Sequence, residues 1–301
     1  MTIASQRPLK GIRVLSLALN LPGPAAVMRL KALGATCTKL EPIPSPGQVS
    51  ADPMAIYSPH AYAHMHQGVR VVRADLKTES GQKRLHQWLA RTDVLITSFR
   101  SSALEKLGLG WKLLHRAHPS LCHVAILGET GAQGDIPGHD LTYMAAHGLV
   151  QGLNLPPSLF ADMAGSLAAC EAALALLWQR SQSTKGLGHR MEVGLSESAA
   201  HLSLPWHWGI TQAQGAVGGA HAGYRVYACQ DGRVAAAALE PHFAKALCLA
   251  ARIECTDALS HMMTPKAREQ LQQFFASQTR ADLDRLAVSH DLPLLTLSDP
   301  A

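Results

Sequence analysis

Several things are scarce in this 301-residue chain. Charged residues make up 16% and aromatics 5% of it. The net charge is +5 with histidine neutral, and no dense basic run occurs. A nucleic-acid partner is therefore not indicated, although a mild positive excess suits a soluble polyanionic ligand such as a nucleotide-containing cofactor. No uninterrupted apolar run reaches the roughly 18–20 residues of a bilayer span, so no membrane is expected. The opening MTIASQRPLKG lacks the apolar stretch of a secretory signal. The six cysteines (Cys37, Cys122, Cys170, Cys229, Cys248, Cys255) show no CxxC spacing. That argues against a disulfide framework or a zinc site and for small buried hydrophobes in a reducing, cytoplasmic setting. A G-x-G-x-x-G fingerprint is absent too, because the first turn is Asn20-Leu-Pro-Gly-Pro24.

What is present suffices for a large core. Hydrophobic residues make up 47% of the chain, enough for one large domain and one small one. Over the first half, strand and helix signals alternate. Strands are expected at 11–18, 36–40, 69–76, 93–99 and 121–127, with helices at 25–33, 78–91 and 111–117. Such alternation predicts a doubly wound parallel sheet, a Rossmann-like α/β domain over residues 1–200. An Ala-rich helix is expected from Asp162 to about Arg180, then a short strand (MEV) and a helix carrying Ser196. Residues 201–223 read as a linker ending in a Gly/Ala-rich loop. A hairpin turning at Asp231-Gly232 opens a small α+β domain, 224–301, with helices at 241–252, 264–276 and 280–288.

Certain residues carry chemical potential. Asp162 stands at the start of the Ala-rich helix, where an N-cap carboxylate stays ionised beside free backbone N–H groups that could hold an oxyanion. His139 precedes a helix expected over 141–150, with Asp140 as its cap. The positive helix end favours a neutral imidazole, which accepts a proton. Glu240 precedes Pro241 and could cap the next helix. His60, His64 and His66 have ligand-like spacing but no carboxylate near in sequence, so no metal is expected. Ser196 in G-L-S-E-S resembles a nucleophile elbow without its second glycine.

Taken together, these segments resemble the family III CoA-transferase and α-methylacyl-CoA racemase superfamily (CaiB/BaiF). The likeness runs through PLKGIRVLSL, PGPAAVMRLKALGATCTKLEP, RADLKTESGQKRLHQWLARTDVLITSFRSSALEKLGLG, FADMAGS, KGLGHRMEV and ALEPHF. Pro137-Gly-His-Asp-Leu-Thr-Tyr143 is similar to the G-H-D-x-x-Y stretch of the racemase branch. The resemblance implies His139 and Asp162 as an acid–base pair, supported by Asp140 and Glu240. It implies Lys39, Arg70 and Arg100 as cations facing coenzyme A phosphates, although His66-Gln-Gly-Val-Arg70 departs from the family's basic stretch. It also implies an interlocked homodimer with the active site between one subunit's large domain and the other's small domain.

The expected reaction is proton transfer at C2 of a 2-methylacyl-CoA thioester, with no cofactor beyond the coenzyme A of the substrate. A thioester's α C–H is a poor acid, so the enolate needs stabilising, and two bases on opposite faces allow inversion. Two alternatives stay open. One is a CoA-transferase in which Asp162 is the nucleophile. The other is a CoA-binding homologue without catalysis.

Overall fold

A computed structural model describes residues 6–298. The chain divides into two compact units, Met1–Ser203 and Leu204–Ala301. In the first, six strands form one parallel sheet: β1 (Arg13–Ser16), β2 (Thr36–Glu41), β3 (Arg70–Arg73), β4 (Val94–Thr97), β5 (Cys122–Leu127) and β6 (Arg190–Gly194). Their order is β3-β2-β1-β4-β5-β6, with parallel pairing throughout. The order reverses between β1 and β4, and in open parallel sheets ligands collect beyond the carboxyl ends at such a switch.

The sheet is covered on both faces, and the two-residue period of a strand sorts its side chains between them. Val14, Val94, Ile96, Val124 and Ile126 enter one core cluster together with Ala169 and Ala173. Leu15, Leu40 and Leu95 enter the other, with Leu85 and Leu89 of the Glu79–Leu89 helix. Helix starts follow local chemistry. Thr78 accepts an N–H from Gly81, and Pro22 opens the Pro22–Ala32 helix, where its missing N–H is no loss. Gly34 ends that helix region at φ +105.

The second unit holds an antiparallel sheet in the order β7-β8-β9: β7 (Tyr224–Cys229), β8 (Gly232–Ala237) and β9 (Leu294–Leu297). The hairpin turn is Gln230-Asp231, one residue earlier than expected, because Gly232 already pairs with Cys229. Val234, Leu247, Met262, Leu271, Phe275 and Leu283 form its core.

Other expectations shift as well. The segment expected as a linker contains the Leu204–His207 helix and a short helical turn at Ala216–Gly218. His60 and His64 lie in a helix not expected from the sequence, Pro59–Met65, capped by the Ser58 hydroxyl. The Ala-rich helix runs from Phe160 to Gln182, and an 18-residue stretch of it, with a mean hydropathy of 1.5, meets the length and composition of a membrane span. The sequence alone had pointed the other way. Within the first unit its buried residues, Ala169 and Ala173 among them, belong to the core cluster beside the sheet.

Candidate active site

A cleft of about 180 Å³ opens beyond the carboxyl ends of the strands. Leu19 and Asn20 follow β1, Ser98, Phe99 and Arg100 follow β4, and Ile126 to Gly128 close β5. The cleft thus lies at the switch point. Gly138, His139, Tyr143 and Asp162 complete its lining.

The Gly-His-Asp-x-x-Tyr motif builds one wall. His139 is the N-cap residue of the Asp140–Ala146 helix, so the cap falls one residue earlier than expected. The Thr142 hydroxyl accepts the His139 N–H at 3.0 Å and donates to the His139 carbonyl at 2.8 Å, which fixes the backbone. The imidazole is left exposed on the cleft. Gly138 makes room for Tyr143, since a Cβ there would fall 2.5 Å from the ring. The same holds at Gly128, where a Cβ would lie 2.3 Å from the Tyr143 hydroxyl. Burial, and after it the charge of Asp162, raises the pKa of Tyr143 and keeps its O–H protonated. In the sequence Tyr143 stands only as the last residue of the G-H-D-x-x-Y stretch, because its contacts with both glycines depend on the fold.

Asp162 differs most from expectation. Leu159 is the N-cap residue and offers no side-chain bond, so the helix starts two residues earlier and Asp162 sits in its first turn. Its own N–H donates to Asp140 Oδ1 at 2.9 Å, and the next N–H, of Met163, donates to the Leu159 carbonyl. Neither N–H is open to an oxyanion. The carboxyl does not stay ionised as a plain cap would. Burial, and then repulsion from Asp140, pushes its pKa up to about 7. Asp140 is 6% exposed, so its charge is poorly screened. FADMAGS forms the first two turns of that helix. Gly165 is needed because a Cβ there would meet Leu195 at 2.3 Å.

The three expected cations separate. Arg100 lines the cleft. Lys39 does not, being 1% exposed. Alternation along β2 places Lys39 and Glu41 on the same face, under the segment that carries Asp52 and His66. Its ammonium pairs with Asp52 and with Glu41 (3.1 Å) and donates to His66 Nε2 at 2.9 Å. With its Nδ1 2.6 Å from the Tyr62 carbonyl, His66 is neutral and Nδ1-protonated. Burial, then Lys39, lowers its pKa. Glu41, Asp52 and His66 converge closely enough to hold a metal, but the lysine ammonium already occupies the cationic place among them. Asp52 also accepts the Asn20 N–H at 3.0 Å, which braces a left-handed residue (φ +64) on the cleft wall. Arg70 opens β3 at the far end of the sheet, 5.0 Å over the Trp88 ring.

Glu240 belongs to the second unit, exposed at the start of the Pro241–Ala250 helix and without a side-chain capping bond. Ser196 is buried in the first turn of the Leu195–Leu202 helix, 3.0 Å from His147 Nε2, and does not line the cleft.

The description CoA-transferase family III matches residues 9–301. The chain belongs to that family. It is an enzyme of the CoA-transferase/racemase family, whose reactions act on acyl-CoA thioesters. The mouse (Mus musculus) α-methylacyl-CoA racemase is 28% identical over 315 residues, spanning 97% of this chain and 78% of that protein. Cinnamoyl-CoA:phenyllactate CoA-transferase of Clostridium sporogenes is 32% identical over 207 residues, 64% of this chain and 50% of that one. The Rv3272 crystal structure from Mycobacterium tuberculosis shares the fold at a TM-score of 0.80 and 24% identity, covering 96% of this chain and 84% of that chain. The match spans both units.

Proposed function

We propose that the protein is an α-methylacyl-CoA racemase-like enzyme, moving one proton at C2 of a 2-methylacyl-CoA. One observation carries this reading: an exposed imidazole, His139, and a carboxyl that keeps its proton to about pH 7, Asp162, line the same cleft. A racemase needs a base and an acid together, and this pair supplies both. With one hand of substrate, His139 takes the α proton, the C–H electron pair moves into the enolate, and the Asp162 O–H returns a proton to C2 from the other side. With the other hand the roles reverse, and the pair shares one proton. The Tyr143 O–H replaces the helix N–H groups as the donor to the enolate oxygen. Arg100 holds a coenzyme A phosphate, and remote binding of that moiety supplies orientation. No cofactor beyond the substrate's coenzyme A enters the scheme.

A transferase would use ionised Asp162 as its nucleophile and needs no second base beside it, so His139 on the same cleft favours the racemase. A homodimer fits the exposed apolar stripe of Phe160, Met163, Leu167, Leu174 and Trp178 along the Phe160–Gln182 helix, which a second copy would cover.

The deciding experiment is incubation with a 2-methylacyl-CoA in heavy water. Deuterium should appear at C2 and fall by about 10²–10⁴-fold in both His139→Ala and Asp162→Asn. A hydroxylamine-sensitive adduct lost only in Asp162→Asn, with no exchange, would establish transfer instead. Neither signal, with coenzyme A still bound, would leave a binding homologue.

A further inference from the structure

The sheet has a second opening, at the end opposite the cleft. A cavity of about 510 Å³ is lined by residues that open strands: Arg13 and Val14 of β1, Thr36 and Cys37 of β2, and Arg70 of β3. Its volume falls within the roughly 300–1,000 Å³ of small-molecule sites. Parallel sheets bind ligands at their carboxyl ends, so the fold by itself does not call for a site here.

Its chemistry is one-sided. Arg7, Arg13, Lys31, Arg70 and Arg91 line it, and no carboxylate does. Asp93 pairs with Arg13 at 3.2 Å and is shared with Arg180. Among the described residues, Arg7, Lys31, Arg70 and Arg91 pair with no acid. Converging like charges in a concavity repel one another and raise its potential for anions.

The cations are also seated. Gly68, at φ +72, leaves space for the Lys31 ammonium, which a Cβ would approach to 2.8 Å. Gly34 does the same for Arg7, whose Cβ a Gly34 Cβ would approach to 2.9 Å. The Trp88 ring supports the Arg70 guanidinium.

We infer that this cavity binds a nucleoside polyphosphate, its phosphates on Arg7, Lys31 and Arg91 and its base against the Arg70–Trp88 wall. The source is either a free nucleotide or the nucleotide end of a second coenzyme A. The site is separate from the cleft and does not depend on the racemase reading.

Calorimetric titration tests it, with ADP, pyrophosphate, adenosine and coenzyme A as probes at low salt. ADP should bind the wild type with an affinity that falls as salt rises. Pyrophosphate should bind more weakly, and adenosine should give no heat. Arg70→Ala/Arg91→Ala should weaken ADP by about tenfold or more, while Arg100→Ala leaves it unchanged. In Arg100→Ala, coenzyme A that displaces ADP identifies the cavity as a second coenzyme A site, and failure to displace it identifies a free-nucleotide site. Both outcomes support the inference. Circular dichroism checks that the variants are folded. The inference is overturned by no ADP binding in the wild type, or by ADP binding that Arg100→Ala abolishes. Equal weakening by Lys112→Ala/Arg116→Ala, which removes the same charge elsewhere, overturns it too.

Discussion

Two groups of ionisable side chains in the first unit behave oppositely. Around Lys39, an ammonium, two carboxylates and a neutral imidazole are buried and mutually bonded. Around Asp162, the carboxyl is half-buried, lies close to a like charge and faces an open cleft with His139. The first group has spent its bonding capacity internally and can only hold structure. The second keeps its capacity for a ligand, at the cost of a carboxyl forced to retain its proton. Satisfaction, and not charge, separates scaffold from chemistry in this protein. The groups touch at one point, where Asp52 braces Asn20 on the cleft wall.

The largest break in that contrast is Lys39→Ala. It strands two buried carboxylates, and stability should fall by about 3–5 kcal/mol. Denaturant unfolding measures this, and a loss below about 1 kcal/mol would refute the cluster's structural role.

Asp162→Asn should act in the opposite direction. Folded Asp162 releases its proton at about 7, against roughly 3.9 in an unfolded chain. The folded state binds the extra proton between those values. The group's stabilising contribution is therefore full below about pH 4 and is lost as pH rises through 7. The asparagine variant should exceed the wild type by about 4 kcal/mol at pH 8, with the gap closing toward pH 4. Parallel thermal melting curves across that range would show that Asp162 carries no such burden.

Tyr143→Phe is the smallest change, removing only a hydroxyl. Exchange at C2 should fall by about tenfold, close to 1.4 kcal/mol, with little change in melting temperature. An unchanged rate would move the enolate donor elsewhere.

Much of the fold was legible. Strand–helix alternation placed β1, β2, β4 and β5 and the long helices, because their apolar periods are local. Strand order and the pairing of β9 with β8 were not, since they depend on contacts distant in sequence. The Pro59–Met65 helix had a readable signal in Ser58-Pro59, a capping serine followed by a first-turn proline. His139 and Arg100 were named by the resemblance, and both line the cleft. Lys39 was misplaced because a lysine in a strand carries no local sign of burial, and its partners Asp52 and His66 come from a different segment. Asp162 was found, but the rise in its pKa was not, because that depends first on burial in the fold and then on Asp140 arriving from 22 residues away.

That same bond, from the Asp162 N–H to Asp140, also bears on how the site comes apart. It links the first turns of two helices, so neither start is complete without the other. Local fraying at either should release the amide of Asp162 to exchange with solvent and return its carboxyl to water in one event. The protonation that suits Asp162 to its proposed role would therefore disappear during partial opening, well before the sheet itself unfolds.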